Sequence, residues 1–261
     1  MKPYFAILTL FFSTFLATAQ PSERLSLKEF NLKGKVKSIT EKQFFAKKNG
    51  KTDPEPYQEN KYYFNEKGQL KMWESKNNQG DISTTSYDYD ENGQATFMTF
   101  EGFGDHTLKY EFEQKGKTRW QYCYWFSGSG SKKGSLQHKF MFTRDNTDRL
   151  VEYAKYYSTR TDFNFKEVYT YNANNQVEEM NNYGLSGKVE QRHTYIYDKN
   201  NNLVEEKEYS NTYKYNELNS TTKFEYKYDS QNNWTELFAK QDFGKTVSTG
   251  YKKMVRIIEY Y

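Results

Sequence analysis

Apolar and polar residues alternate with a period of two along most of this chain, and short polar runs interrupt the alternation at regular intervals. Residues 192–209 show the unit: Tyr195 and Tyr197 alternate as strand residues do, residues 198–202 are polar, and a second alternating run starts at Leu203 and ends at Tyr209. Two strands around a short turn predict a β-hairpin. The same aromatic-x-aromatic pair recurs as Tyr62/Phe64, Tyr87/Tyr89, Tyr110/Phe112, Phe140/Phe142, Tyr169/Tyr171, Tyr195/Tyr197 and Tyr226/Tyr228. Self-similarity at such intervals signals an array of one supersecondary unit.

The turns repeat as well. Four residues after the second aromatic stand Gly68, Gly93, Gly116, Asn146, Asn175, Asn201 and Asn232. Gly and Asn accept a left-handed backbone at least cost, so the turn is expected to need positive φ there. Return strands are expected at Leu70, Ala95, Thr118, Leu150, Val177, Leu203 and Trp234. The connections between hairpins vary in length, so short turns should line one edge of the array and variable loops the other, where binding specificity usually resides.

These units predict an all-β fold: about seven tandem antiparallel β-hairpin repeats, roughly 14 to 16 strands in all, forming a long twisted sheet that curls into an open spiral or barrel-like trough. The expected division is residues 1–19 as a signal peptide, 20–60 as a leader with a first strand region, and 61–261 as the repeat domain. Pro54 and Pro56 place a loop before the first pair.

Composition sharpens this in two ways. The 25 Tyr and 20 Phe supply the apolar area that the few aliphatics do not, so the core should be built of rings. A formal net charge of +4 with no basic block gives no sign of nucleic acid. At the N-terminus, Lys2, the apolar run 5–16 and the small residues Ala17 and Ala19 read as an export signal. That run is short of the ~20 residues that span a bilayer, and no transmembrane segment is expected once it is removed. The product should be periplasmic or extracellular.

Candidate chemistry is sparse. Cys123 lies in a strand whose other face holds Trp120, Tyr122, Tyr124 and Phe126, with no acid or His in a recognisable relation, and reads as a quiet thiol. Asp88, Asp90 and Gly93 match the first half of a calcium loop, but Thr99 stands where the bidentate Glu belongs, and turn chemistry explains them. His138 and His193 hold equivalent repeat positions, which separates them. The Gly- and Ser-rich residues 127–134 lack phosphate-loop spacing. No catalytic residue, metal ligand or cofactor is singled out, and the chain is read as more a binder than an enzyme. The candidate ligand surface is Trp120, Tyr124 and Trp125 with Phe103 and Tyr213 on the variable loops.

Around Tyr195, Tyr197, Asp198 and Leu203 the chain resembles the tyrosine–aspartate (YD) repeats of Rhs proteins, wall-associated proteins and teneurins, as it does at Tyr87–Asp90 and Tyr226–Asp229. The resemblance implies a spiral sheet and carbohydrate binding, without a toxin or cargo domain. On this reading the protein is a non-catalytic binding or structural module of the cell envelope or exterior, with a glycan or another protein as partner. Two alternatives stand beside it: a secreted glycan-acting enzyme, and an outer-membrane β-barrel. Against the barrel, residues 203–209 carry charge on both strand faces, with Glu205 and Lys207 on one and Glu206 and Glu208 on the other.

Overall fold

The computed structural model describes residues 26–102, 106–127, 134–211, 216–244 and 248–261. They form sixteen antiparallel strands: β1 (Val36–Phe45), β2 (Gln58–Phe64), β3 (Leu70–Asn77), β4 (Ile82–Tyr89), β5 (Ala95–Glu101), β6 (His106–Lys115), β7 (Thr118–Ser127) and β8 (Ser135–Arg144), then β9 (Leu150–Tyr157), β10 (Phe165–Tyr171), β11 (Val177–Tyr183), β12 (Val189–Tyr197), β13 (Leu203–Ser210), β14 (Glu217–Tyr228), β15 (Trp234–Phe243) and β16 (Thr249–Tyr260). Each strand pairs with its sequence neighbours, and β16 pairs with β1, so the sheet is a closed barrel.

The hairpin expectation therefore holds, and the open sheet does not. The seven hairpins run from β2–β3 to β14–β15, as the aromatic pairs indicate. The strand assigned to the leader, β1, is a full member of the wall: Ile39 stands opposite Ile258 and Glu41 opposite Arg256. β1 and β16 thus make an eighth hairpin, cut open at its turn. Closure leaves neither edge strand unpaired. This corrects the expected spiral of YD type.

Turn chemistry explains why Tyr and Asp recur without that family. In the β12–β13 turn, Asp198 Oδ1 accepts the N–H of Asn200 at 2.8 Å and of Asn202 at 2.9 Å. Asn172 does the same for Asn174 and Gln176, and Asp229 for Gln231 and Asn233. Such an Asx turn needs only a short side-chain oxygen and a following left-handed residue. Positive φ is found at Gly68, Gly93, Gly116, Asn175, Asn201 and Asn232 as expected. In the longer β8–β9 turn it falls on Asp148 (φ 64°) and not on Asn146. Tyrosines then tie successive hairpins together: Tyr89 donates to the Leu70 carbonyl (2.6 Å), Tyr226 to that of Leu203 (2.7 Å), and Tyr260 to Asp229 (2.6 Å).

The two faces of the wall differ sharply. Trp73 on β3 and Tyr153 on β9, six strands apart, line one cavity, which only the concave face permits. Alternation then assigns the rest. Inside lie Ile39, Tyr62, Tyr87, Tyr110, Phe142, Tyr169, Tyr195, Tyr226, Leu237 and Met254. The buried hydrophobic residues gather in three patches along the wall and not in one central core, and among the described residues the strand backbones approach only their ladder neighbours. Outside, ion pairs cross from strand to strand: Lys42–Glu59 (3.5 Å), Lys166–Glu152 (3.6 Å), Arg192–Glu179 (3.1 Å) and Lys227–Glu236–Lys253 (2.9 and 2.5 Å).

Residues 26–34 cross the short-turn end of the barrel. Leu27 N–H donates to the Gly68 carbonyl, and Asn233 both accepts from Lys33 N–H (2.7 Å) and donates to the Lys33 carbonyl (2.9 Å). Phe30, 2 % exposed, sets its ring edge-on against Tyr62 and Phe64, at centroid distances of 4.8 and 5.3 Å. This segment covers the sector where the eighth hairpin is cut.

Candidate functional site

Strand alternation delivers one aromatic from each successive hairpin to the concave face, and closure brings those rings around a common space. Between β3 and β9 they line a half-open hollow of about 220 Å³. Its apolar lining comes from Trp73, Tyr87, Met98, Phe100, Tyr110, Phe140, Phe142 and Tyr153. Two polar side chains interrupt it, Thr85 on β4 and Gln121 on β7, which are 4 % and 8 % exposed. The packing is of rings on rings: Phe142–Tyr153 centroids are 5.1 Å apart and Phe140–Tyr153 lie nearly parallel at 6.2 Å. Concave, mostly apolar sites with a few placed polar groups are where small ligands bind.

Chemistry next to the cavity is quiet. Burial pushes the Cys123 thiol up, only partly opposed by its hydrogen bond with Tyr110 and by Lys155. Burial likewise pushes the Tyr110 phenol well up. His138, on the same face of β8, is pushed down by burial and then by Lys155, so it is neutral, and its Nδ1 is buried without a hydrogen-bond partner. Cys123 and His138 stand opposite each other in the β7–β8 ladder, a relation the sequence did not show, and burial disfavours the charged form of each, thiolate and imidazolium.

Farther round the lumen, β10 to β13 are more polar. His193 Nδ1 is 2.9 Å from Glu206 Oε1, and Tyr169 hydrogen-bonds Glu167. Burial raises Glu167 above the usual carboxylate range, although Tyr169 and His193 oppose it. His138 and His193 fall two hairpins apart, as their repeat positions require. Among the described residues no group of three or more His, Cys, Asp or Glu is placed to hold a metal ion. Asp90, the calcium-loop candidate, accepts Gln94 N–H as an ordinary turn residue, and Asp88 pairs with Phe97 on the outer face.

The sequence-derived ligand surface is not one site. Trp120 and Tyr124 lie on the outer wall, where Trp120 contacts Tyr122 at 6.4 Å and Tyr156 at 5.5 Å. Trp125 occupies a β7 position of opposite parity, paired with Leu108 and Ser135. Phe103 and Tyr213 lie outside the described residues. Missing from that list are Trp73, Phe100, Gln121 and Tyr153, which meet only because the sheet closes. The aromatic pairs carried the signal for Tyr87, Tyr110, Phe140 and Phe142, had their common face been read as a lumen.

No family model matches this chain, and no curated protein matches it. Among solved structures, a porin-like protein from Bacteroides uniformis ATCC 8492 is similar over 86 % of this chain and 98 % of its own, with a TM-score of 0.56 at 12 % identity. At that identity the likeness concerns the fold alone. A TcdB2-TccC3-TEV structure overlaps 71 % of this chain but 12 % of its own, at 10 % identity and a TM-score of 0.22, too low to carry an argument. The resemblance to YD repeats is thus overturned by a porin-like closed barrel, and the carbohydrate binding that rested on it goes too.

Proposed function

We propose that this protein is an exported, non-catalytic, porin-like β-barrel of the cell envelope or exterior that works through its lumen, taking up a small apolar or amphipathic molecule among the inward rings. The observation that carries this is the 220 Å³ ring-lined cavity between β3 and β9. Aromatic side chains pointing at solvent in a lumen cost hydration free energy, and a ligand that covers them recovers it.

The chemistry of the wall favours a barrel standing in water. A lipid-facing wall needs an apolar band ~25 Å tall. Here the outward positions carry the ion pairs Lys42–Glu59, Arg192–Glu179 and Lys227–Glu236. Strand length varies round the wall, from 7 residues in β2 and β10 to 12 in β14 and β16, so only part of it is short. A strand of 7 residues such as β2 or β10, at ~3.4 Å per residue and ~40° tilt, rises roughly 18 Å. Lipid-spanning strands usually need about 9–11 residues.

A second reading, an outer-membrane pore, is favoured by the porin-like fold, which supports a barrel over an open binding sheet. Two measurements separate them. Purified protein is titrated with N-phenyl-1-naphthylamine, whose fluorescence rises in apolar surroundings, and cells expressing the chain are fractionated. Lumen uptake predicts saturable binding, lost on filling the cavity by Met98→Trp, and recovery in the soluble exported fraction. Recovery in the outer membrane with conductance in liposomes would establish the pore instead. No saturable uptake would overturn the lumen reading.

A further inference from the structure

The lining of the lumen cavity says what kind of molecule it accepts. Resting on the lumen reading above, we infer that the site selects an uncharged, planar molecule of two or three fused rings bearing one hydrogen-bonding group, with Gln121 as the residue that reads that group. Three observations lead there.

The first is shape. The cavity volume of about 220 Å³ is below the ~300 Å³ at which drug-sized pockets begin, so the ligand is small. Its walls are ring faces and edges: Trp73, Phe100, Phe140 and Tyr153 contribute from four different strands. Offset and edge contacts between rings favour a flat aromatic guest over a branched aliphatic one of equal volume.

The second is charge. No side chain lining the cavity carries a carboxylate, ammonium or guanidinium. The nearby Lys155 ammonium lies over the Phe140 ring, 5.7 Å from its centroid. An ionised guest would leave its hydration shell for apolar walls, which is costly without a partner.

The third is the polar lining, Thr85 and Gln121, of which only Gln121 carries both an amide N–H pair and a carbonyl. Gln121 is 8 % exposed, flanked in the sheet by Phe112 and Phe140, and borders the cavity. Among the described residues its side-chain amide has no protein hydrogen bond, whereas the Tyr110 phenol is engaged with Cys123. The polar atoms of Gln121 are not among the buried unpartnered ones, so they are reachable from the cavity, and a guest can take the place of the water there. An amide both donates and accepts, so it suits a hydroxyl, a carbonyl or a ring N–H. Sites built to hydrogen-bond a guest discriminate strongly against the analogue lacking the group.

The test uses the full exported protein, calorimetry, and three probes of one ring system: 2-naphthol, naphthalene and 2-naphthoate. The expected result is 2-naphthol binding at least tenfold tighter than either of the others. In Gln121→Leu, naphthalene affinity should stay the same or improve while the preference for 2-naphthol falls to within twofold. The thermal midpoint is measured alongside, and if the variant does not fold, the wild-type series decides. Equal affinity for 2-naphthol and naphthalene, or tight binding of 2-naphthoate, would overturn the inference while leaving the lumen reading in place. A Gln121→Leu variant that folds and keeps the full preference would overturn Gln121 as its reader. Binding of none of the three would overturn the inference, and the N-phenyl-1-naphthylamine titration then decides the lumen reading by itself.

Discussion

Arg256 on β16 grips Glu41 on β1 across the seam where the barrel closes, with Nε 3.0 Å and Nη2 2.6 Å from the same carboxylate oxygen. The guanidinium also lies flat on Trp234, 3.5 Å from the ring centroid. Both partners are almost wholly buried, at 0 % and 3 % exposure, and face the lumen side. Glu41 Oε2 and Arg256 Nη1 have no hydrogen-bond partner, so the pair is incompletely satisfied. Its value lies in register more than in stability: only one alignment of β1 on β16 puts these charges opposite each other.

Breaking the pair from one side should therefore cost far more than replacing both partners. Glu41→Ala leaves a buried guanidinium uncompensated and should lose about 3–5 kcal/mol, whereas Glu41→Leu combined with Arg256→Met should lose much less. Urea midpoints of the single and double variants check this. Equal losses would mean the charges do not act as a pair.

At the turns, Gly93→Val should cost more than Asn92→Ala. Gly93 has φ +80°, and a Cβ there would meet Gln69 Nε2 at 2.8 Å. The strain expected is about 1–2 kcal/mol, before any adjustment by Gln69. In the β8–β9 turn the same logic moves to Asp148. Asp148→Gly should be neutral or stabilising and Asn146→Gly should not be. Thermal midpoints of the four variants decide both comparisons.

Acid should loosen the turn end through Asp229. Burial works against its ionisation, but hydrogen bonds from Tyr260, Asn233 and Gln231 outweigh that and hold its pKa below the usual carboxylate value. The folded state thus binds the proton less readily than the unfolded one. This contribution is complete above the unfolded Asp pKa of about 3.9 and disappears as pH falls through the lower folded value. The urea midpoint should drop between pH 5 and low pH, and Asp229→Asn should shrink that drop. An unchanged drop would remove Asp229 from the account.

The segment across the turn end should matter for stability at one residue above all. Phe30→Ala removes a ring that Tyr62 and Phe64 enclose and should cost about 3–5 kcal/mol. Lys28→Ala, at an exposed position, should be nearly neutral. Limited proteolysis within residues 26–34 should accelerate in the first variant only.

Much of this architecture is legible in the chain because it is local. The Asx residue, the left-handed Gly or Asn and the alternation of Tyr195 and Tyr197 each act within one hairpin, and a period of two with a fixed turn offset reports them directly. Closure is not local. Val36 and Tyr260 are paired, yet nothing near either one announces the other. Reading β1 as part of a leader hid the eighth hairpin, and an open sheet followed from that. The cavity was missed for the same reason. Its residues sit in strands from β3 to β9, and Gln121 looks like any polar strand residue until the wall curves around it. Tyr–Asp spacing misled in a different way, since an Asx turn bonded by the next hairpin's tyrosine arises wherever such turns are stacked.

The cut in the eighth hairpin also sets the order of events when the chain folds. Seven hairpins can form from neighbours in sequence, but the last ladder joins residues more than two hundred positions apart, and it cannot begin before β16 exists. Until then the growing wall has two bare edges, β1 at one end and the newest strand at the other, each with a row of unpaired amides. Two nascent chains meeting edge to edge would satisfy those amides as readily as one chain closing on itself, and Glu41 could find its arginine on a neighbour. Refolding yield should therefore fall as concentration rises, and the species that accumulates should be an exchanged dimer in which β16 of one chain completes the wall of another.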